Sequence, residues 1–344
     1  MLAAKFLLRL YLRYFTLILL GLVIFFVSLE FLQALKSLPS AANLQVLYLW
    51  YKGLYALDVV MPITVVFAMI ATKLHLIRSN ELVAFYALGY SKKDLIRPIF
   101  GVAFFLTLIY LVLHSTSFTY ADEYAKNIKK YRSIASATND LFFRFDQDYV
   151  FFKRLYPLQK KAEGVRVFEV LGKDIKRMVF AKEGYFRNGS WLFPKAKIVL
   201  KKGTKIEKEI KDLRLLQGFK PKILDSIYEG KTNLSLPDVL YALSLLAKQG
   251  ADTAKLRSIL YAHLFFPFFA PLLVVIIFYF VPVTARLANV NLFVFGAVLV
   301  SLIVWGVYYL LLKLTFSGVL EAETGILLPI FLLSLIAFYF YKRF

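Results

Sequence analysis

Few side chains in this 344-residue sequence combine the types and spacing that chemistry needs, and the most suggestive set closes the first long apolar run: Glu30, Gln33, Lys36 and Ser37. On a helix at 100° per residue, Glu30, Gln33 and Ser37 fall within roughly 60° of one another, with Lys36 about 60° beyond Gln33. A cation and an amide at the end of a membrane span can hold an anionic lipid headgroup. A lysine there also costs little by snorkelling to water, so both readings of Lys36 stand. Glu30 lies about 9 Å deeper along the helix. A carboxylate inside a span faces a cavity or a partner, and beside a phosphate it would repel. Glu30 is therefore expected to pair with a cation, a partner subunit being one source. Glu30→Lys is expected to be tolerated if the position faces a cavity.

No other constellation points to catalysis. The sequence has no GxxxxGK[ST] nucleotide loop, no Cys/His metal spacing and no G-x-S-x-G elbow. His75, His114 and His263 are scattered over different apolar segments, where each reads as a packing residue. A membrane enzyme acting on envelope lipids would have only Glu30, Lys36 and Asp58 to work with on the outer side. The expectation is a protein that is not an enzyme and needs no cofactor, driven by a partner or a gradient.

A second stretch carries recognition chemistry of another kind. RSNELVAFYALGYSKKDLIR, from Arg78 to Arg97, lies between two apolar segments and holds Arg78, Lys92, Lys93 and Arg97, with Lys73 just upstream. Positive charge between spans marks the cytoplasmic side. The spacing predicts a ten-residue helix over about 79–89. Ser79 is its cap, Glu81 sits in the first turn where the dipole favours an acid, and Gly89 takes the left-handed position past the end. Ser91-Lys-Lys-Asp94 then restarts a helix by a capping pattern. The segment is too short to span a bilayer, yet Leu82, Val83, Phe85, Tyr86 and Leu88 need cover from headgroups, from the protein's own helices or from a partner's groove. A plain solvated connector is the bland alternative. A short helix of this kind is what an ABC-type transporter subunit offers its ATPase.

The elements that must position these residues follow from hydropathy. Hydrophobic residues make up 60% of the chain and mean hydropathy is +0.65, values of an integral membrane protein. Six spans are expected. Residues 1–13 form an amphipathic, basic lead-in to the first, which runs over 14–35. An interfacial segment over 41–57 precedes the second, 58–76. The third lies between Arg97 and Asp122, and 258–285, 287–312 and 324–341 complete the set. Pro62, Pro267 and Pro271 lie within spans. Arg286, Lys342 and Arg343 fall on the same side as Lys92 and Lys93, which places both termini in the cytoplasm. The basic start followed by an apolar run without a small-residue cleavage site reads as a retained span.

Between the third and fourth spans the period changes. Residues 119–257 carry 29 of the basic and 16 of the acidic residues, so +13 of the net +21 lies in this polar block. A basic surface beside a membrane implies anionic lipid or an acidic ligand, not nucleic acid. Alternating segments at 141–145, 149–152, 165–171, 177–186, 191–200 and 205–210 are broken by turn residues, the pattern of an antiparallel sheet. Asn188-Gly189 marks a type I′ hairpin; the same residues match a glycosylation acceptor. A β-sandwich or jellyroll is expected. Ser235-Leu-Pro237-Asp238 then opens an amphipathic helix ending at Lys248-Gln-Gly250, with Pro at its first position and Ser as cap. The fold class is thus membrane α-helical, six transmembrane helices (3+3) with an inserted periplasmic all-β jellyroll-like domain: 1–118, 119–257 and 258–344.

On these residues the chain resembles the lipopolysaccharide-export permease family LptF/LptG (the YjgP/YjgQ type) along essentially its whole length. RSNELVAFYALGYS is similar to the family's cytoplasmic coupling helix, with Glu81 on the family acid and Gly89 on the family glycine. Met61-Pro62 matches its second-span step. Phe31-Leu-Gln33-Ala-Leu35-Lys36 and Thr232-Asn-Leu-Ser-Leu-Pro-Asp resemble the LptG branch. That branch commonly has a lysine where this chain has Glu30. The resemblance implies an inner-membrane permease that exports lipopolysaccharide. It pairs with a paralogous subunit, a cytoplasmic LptB ATPase dimer, LptC and a periplasmic jellyroll protein. Glu81, Leu82, Phe85 and Gly89 become the expected ATPase-coupling residues, and Lys36, Glu30 and Gln33 the expected lipid-binding ones. The 3+3 division differs from the one-and-three division of lipoprotein-release permeases. A mere tether for the β domain would leave the capped helix unexplained.

Overall fold

The computed structural model describes residues 2–134, 137–145, 148–171, 174–202, 205–221, 232–248, 252–282 and 289–344. Among the described residues, six helical segments are long and apolar enough to cross a membrane, and a six-stranded antiparallel sheet is inserted between the third and the fourth. By compactness the chain divides into two units. One comprises Met1–Lys36, Leu49–Asp122 and Thr253–Phe344, and the other Ser37–Tyr48 and Glu123–Asp252.

In the helical unit, α1 (Leu2–Ala34) is one unbroken helix, so the expected lead-in over 1–13 is fused to the span. Nothing between Arg13 and Phe15 interrupts helical hydrogen bonding, and Leu7, Leu10, Tyr11 and Phe15 recur at helical spacing on a buried face. Its second half leaves Leu17, Leu20, Ile24, Phe25 and Leu29 exposed, as a helix does in hydrocarbon.

The second span differs from expectation. α2 is a single 37-residue helix, Ala42–Arg78, that passes through Pro62; the interfacial segment and the span are one element. Proline removes the N–H that would bond the carbonyl four residues back, here Asp58. The Tyr110 hydroxyl, from the third-span helix α4 (Lys92–Leu113), lies 3.2 Å from that freed carbonyl and 2.7 Å from Asp58 Oδ1, so a neighbouring helix reaches the freed acceptor.

The remaining helices follow more closely. α3 (Glu81–Ala87) is short. α4 (Lys92–Leu113) opens on the reciprocal Ser91–Asp94 capping box. A 3₁₀ turn at Ser117–Tyr120 leads into α5 (Ala121–Tyr131). The fourth crossing is split at Pro267 into α7 (Ala254–Leu264) and α8 (Phe269–Phe280), with a 3₁₀ turn between them. α9 (Val290–Phe316) and α10 (Leu328–Lys342, preceded by a π-turn) complete the bundle. Arg286 and the expected start of the fifth span at Leu287 lie outside the described residues.

In the other unit, β1 (Thr138–Phe145), β2 (Asp148–Tyr156), β3 (Lys161–Leu171), β4 (Asp174–Arg187), β5 (Ser190–Lys202) and β6 (Lys205–Leu215) pair in chain order. All six overlap the expected strands, and most extend beyond them because pairing continues into polar ends such as Lys161↔Tyr185. Asn188 and Gly189 have φ of 50° and 77°, the positive values a type I′ turn requires. Phe152 on β2 and Trp191 on β5 are three strands apart, roughly 14 Å in a flat sheet. Their ring centroids are 5.1 Å apart, so the sheet curls over its own face. That face holds Phe143, Phe152, Trp191, Phe193 and Phe219, all fully buried. Trp191 Nε1 donates to the Phe219 carbonyl at 2.8 Å, and Phe219 stacks on Phe143. Each edge strand, β1 and β6, has one paired side. α6 (Leu236–Lys248) starts directly after Ser235, the expected cap, so Pro237 takes the second position and not the first; Ser235 Oγ lies 2.9 Å from Asp238 Oδ2. Its expected end at Gln249-Gly250 lies outside the described residues.

Candidate functional site at the two ends of the helix bundle

α3 has seven residues where ten were expected. The physical reason is at its start. Ser79 Oγ donates to the His75 carbonyl and so belongs to α2, and the cap position falls on Asn80, in the left-handed region at φ 58° without a side-chain cap bond. The C-terminal end is as expected. Gly89 has φ +84°, its N–H bonds the Tyr86 carbonyl, and the Tyr90 N–H bonds the Phe85 carbonyl at 3.0 Å, the paired bonds of a Schellman motif. The Tyr90 and Phe85 rings close it edge to face at 5.6 Å.

The four residues picked from sequence for this helix separate. Leu82 is fully buried in the bundle core, where it seats the helix; it offers nothing to an outside partner. Phe85 is half-buried, 6.2 Å from the Phe6 ring of α1. Glu81 and Gly89 lie toward the surface, along with an exposed face of Val83, Ala84, Ala87 and Leu88. Glu81 Oε2 lies 4.0 Å from His75 Nε2, and His75 Nδ1 is 3.1 Å from the Tyr14 hydroxyl, so α1, α2 and α3 meet at one imidazole. The buried Tyr86 hydroxyl finds no hydrogen-bond partner among the described residues, and burial raises its pKa.

The cations around α3 also divide. Lys73 is buried at 2% exposure with its ammonium 3.8 Å over the Phe278 ring, so it belongs to the interior. Arg78 donates to Asn291 of α9 at 3.0 Å. Lys92 and Lys93 lie over the Tyr279 and Tyr341 rings.

At the opposite end, Gln33 and Lys36 are exposed at the end of α1, while Glu30 turns inward. Its cation is on the same chain: Lys52 Nζ of α2 lies 3.3 Å from Glu30 Oε2 and 3.2 Å from Asp122 Oδ1. The structure thus brings Glu30 together with two residues that sequence reasoning missed, and leaves Lys36 and Gln33 outside that cluster. Lys52 was hidden because 41–57 reads as an interfacial segment, where a lysine needs no partner. Helical continuity through Pro62 puts it in the bundle at 6% exposure.

A second cluster adjoins. His114 Nε2 is 3.2 Å from Asp58 Oδ1, its Nδ1 is 3.1 Å from the Tyr110 carbonyl, and its ring is 4.5 Å from that of His263. Two of the three histidines that look scattered along the chain are therefore neighbours. Both His114 nitrogens face acceptors, which suits an imidazolium held against a carboxylate. His114 itself, at 5% exposure, is closed to a substrate. Among the described residues no group of three or more His, Cys, Asp or Glu side chains is placed to hold a metal ion.

The geometry is that of a multi-pass membrane protein with buried paired charges and a short helix presented between two spans. No curated protein matches the chain. The profile of one protein family, described as lipopolysaccharide export system permease LptF/LptG, matches residues 5–343 and covers both paralogues without separating them. With that match spanning nearly its entire length, the chain belongs to the LptF/LptG family of lipopolysaccharide export permeases.

Proposed function

We propose that this chain is the permease subunit of an ABC-type lipopolysaccharide exporter of the bacterial inner membrane. In this reading both termini and α3 are cytoplasmic and the β domain is periplasmic. The observation that carries it is α3. Leu82 and Phe85 fasten this helix to the bundle, and Val83, Ala84, Ala87 and Leu88 present an apolar face left uncovered by the described residues. A groove on a cytoplasmic ATPase dimer fits that face, in the helix-in-groove manner. ATP hydrolysis then belongs to the partner. Lipopolysaccharide is drawn from the outer leaflet, with Lys36 and Gln33 meeting the anionic headgroup while Lys52 holds Glu30 away from it. The sheet's edge strands β1 and β6 are suited to strand addition by LptC and a periplasmic jellyroll protein. A paralogous subunit completes the transporter.

The test is site-specific photo-crosslinking from Leu88 in cells. Capture of the ATPase subunit is expected. Crosslinking to lipid alone would assign α3 to the membrane surface and end the coupling reading.

A further inference from the structure

On the outer surface of the helical unit, α4, α8 and α10 enclose a groove of about 450 Å³. Val275 and Ala337 form its buried floor, Phe100, Leu272 and Phe338 line it, and Arg97 and Tyr341 stand at its end nearest α3. The small side chain of Ala337 leaves the depression that the two phenylalanines flank. Apart from Ser334, whose hydroxyl donates to the Ile330 carbonyl at 2.8 Å, the groove is apolar along its length, and it is cationic at one end. Arg97 lies against the Tyr341 hydroxyl. Lys93 sits over the Tyr341 ring at 6.0 Å, and Lys342 over the Phe338 ring at 4.6 Å. The nearby acid, Asp94, is 4.0 Å from Arg97 but is engaged by the Ser91 hydroxyl and N–H in the capping box. Guanidinium has five donors and a fork that matches phosphate oxygens. Arg97 is five residues into α4, about 7.5 Å along the helix, and Tyr341 is one residue from the end of α10. The charged end of the groove therefore falls where headgroup phosphates lie and the apolar length where acyl chains lie.

We propose that this groove binds one anionic glycerophospholipid of the leaflet on the α3 side, its phosphate held by Arg97, Lys93 and Lys342 and one acyl chain lying on Val275 and Ala337. The inference stands on membrane residence alone. It shares no residue with the proposed coupling or headgroup sites, and its readout does not involve export, so either reading can fail without the other.

The experiment uses the full chain purified in detergent and mixed with equal amounts of dioleoylphosphatidylglycerol and dioleoylphosphatidylcholine, with bound lipid counted by native mass spectrometry. Preferential retention of phosphatidylglycerol is expected. Arg97→Gln, an exposed change, lowers that preference about fivefold, the effect of removing one cation from a membrane surface, while Arg97→Lys retains most of it. Ala337→Trp fills the floor without touching the cations and lowers retention of both lipids. Glycerol 3-phosphate in excess does not displace the lipid, because the acyl chain supplies the rest of the affinity. Equal retention of the two lipids, or a preference unchanged in Arg97→Gln, would show ordinary annular lipid and overturn the proposal. Displacement by glycerol 3-phosphate would do so too, as would retention of lipid A that Arg97→Gln abolishes. A photo-crosslinker at Phe338 that captures a second copy or another protein's helix would likewise overturn it.

Discussion

At the end of the bundle that carries α3, Lys92, Lys93 and Arg97 lie at or near the surface beside tyrosine rings. At the other end Lys52, Asp122 and His114 are buried, each against an opposite charge. The difference shows two uses of the same residue types in lipid. Surface cations keep their water and attract headgroups. Interior charges have lost water, so each needs a partner at hydrogen-bonding distance, and the pairs tie particular helices together. Lys52 joins α1, α2 and the start of α5; Asp58 joins α2 to α4. Hydrophobic burial cannot do this in a bilayer, where lipid tails are as apolar as leucine.

The sharpest way to break the contrast is to remove the shared cation. Lys52→Ala takes the shared cation from Glu30 and Asp122, a loss of about 3–5 kcal/mol for a buried pair broken on one side. A clear fall in Tm is expected in detergent. The triple change Lys52→Met, Glu30→Gln, Asp122→Asn restores most of it. A loss in Lys52→Ala below about 1 kcal/mol, the value of a solvated pair, would mean that this end is wet and the contrast false. Next in size is Gly89→Ala at the α3 end, which forces a Cβ into the left-handed region for about 1–2 kcal/mol. Gly89→Asn recovers part of the loss, and protease protection of the α3 loop reports both.

Glu81→Lys is smaller in energy, about 0.3–1 kcal/mol from the helix dipole. The chain is expected to insert normally yet lose co-purification with the ATPase of the proposed exporter. Retained ATPase and normal export would reduce Glu81 to a local partner of His75. Lys36 carries the least stability, within about 0.5 kcal/mol for an exposed change. Lys36→Asp should nonetheless depress lipid-stimulated ATPase activity more than Lys36→Ala, because it turns attraction into repulsion. An inert series would put headgroup recognition on the other subunit.

These predictions also mark what could be read from residue order. The spans, the strands, the Ser91–Asp94 box and the Gly89 stop are local, so propensity and hydropathy reveal them. The pairing of Glu30 with Lys52 is not local: it depends on α2 continuing through Pro62, where a hydroxyl from Tyr110 of another helix lies 3.2 Å from the carbonyl that the proline frees. Glu30→Lys reads as tolerable from sequence. With Lys52 3.3 Å away it would crowd two ammonium groups and is now expected to be costly. What covers Leu82 was left open in the sequence for a similar reason. Seven residues cannot show which face of a helix is core until the neighbours are placed.

The curled sheet has a consequence for traffic. Its concave face is already occupied by Phe143, Phe152, Trp191, Phe193 and Phe219, with Phe219 pinned through its own carbonyl to the Trp191 indole. Close-packed interiors have no spare volume. An acyl chain entering that face would not fill a vacancy; it would trade places with rings. In the proposed export role, admission would be an exchange reaction, with a rate set by how often Phe219 lets go.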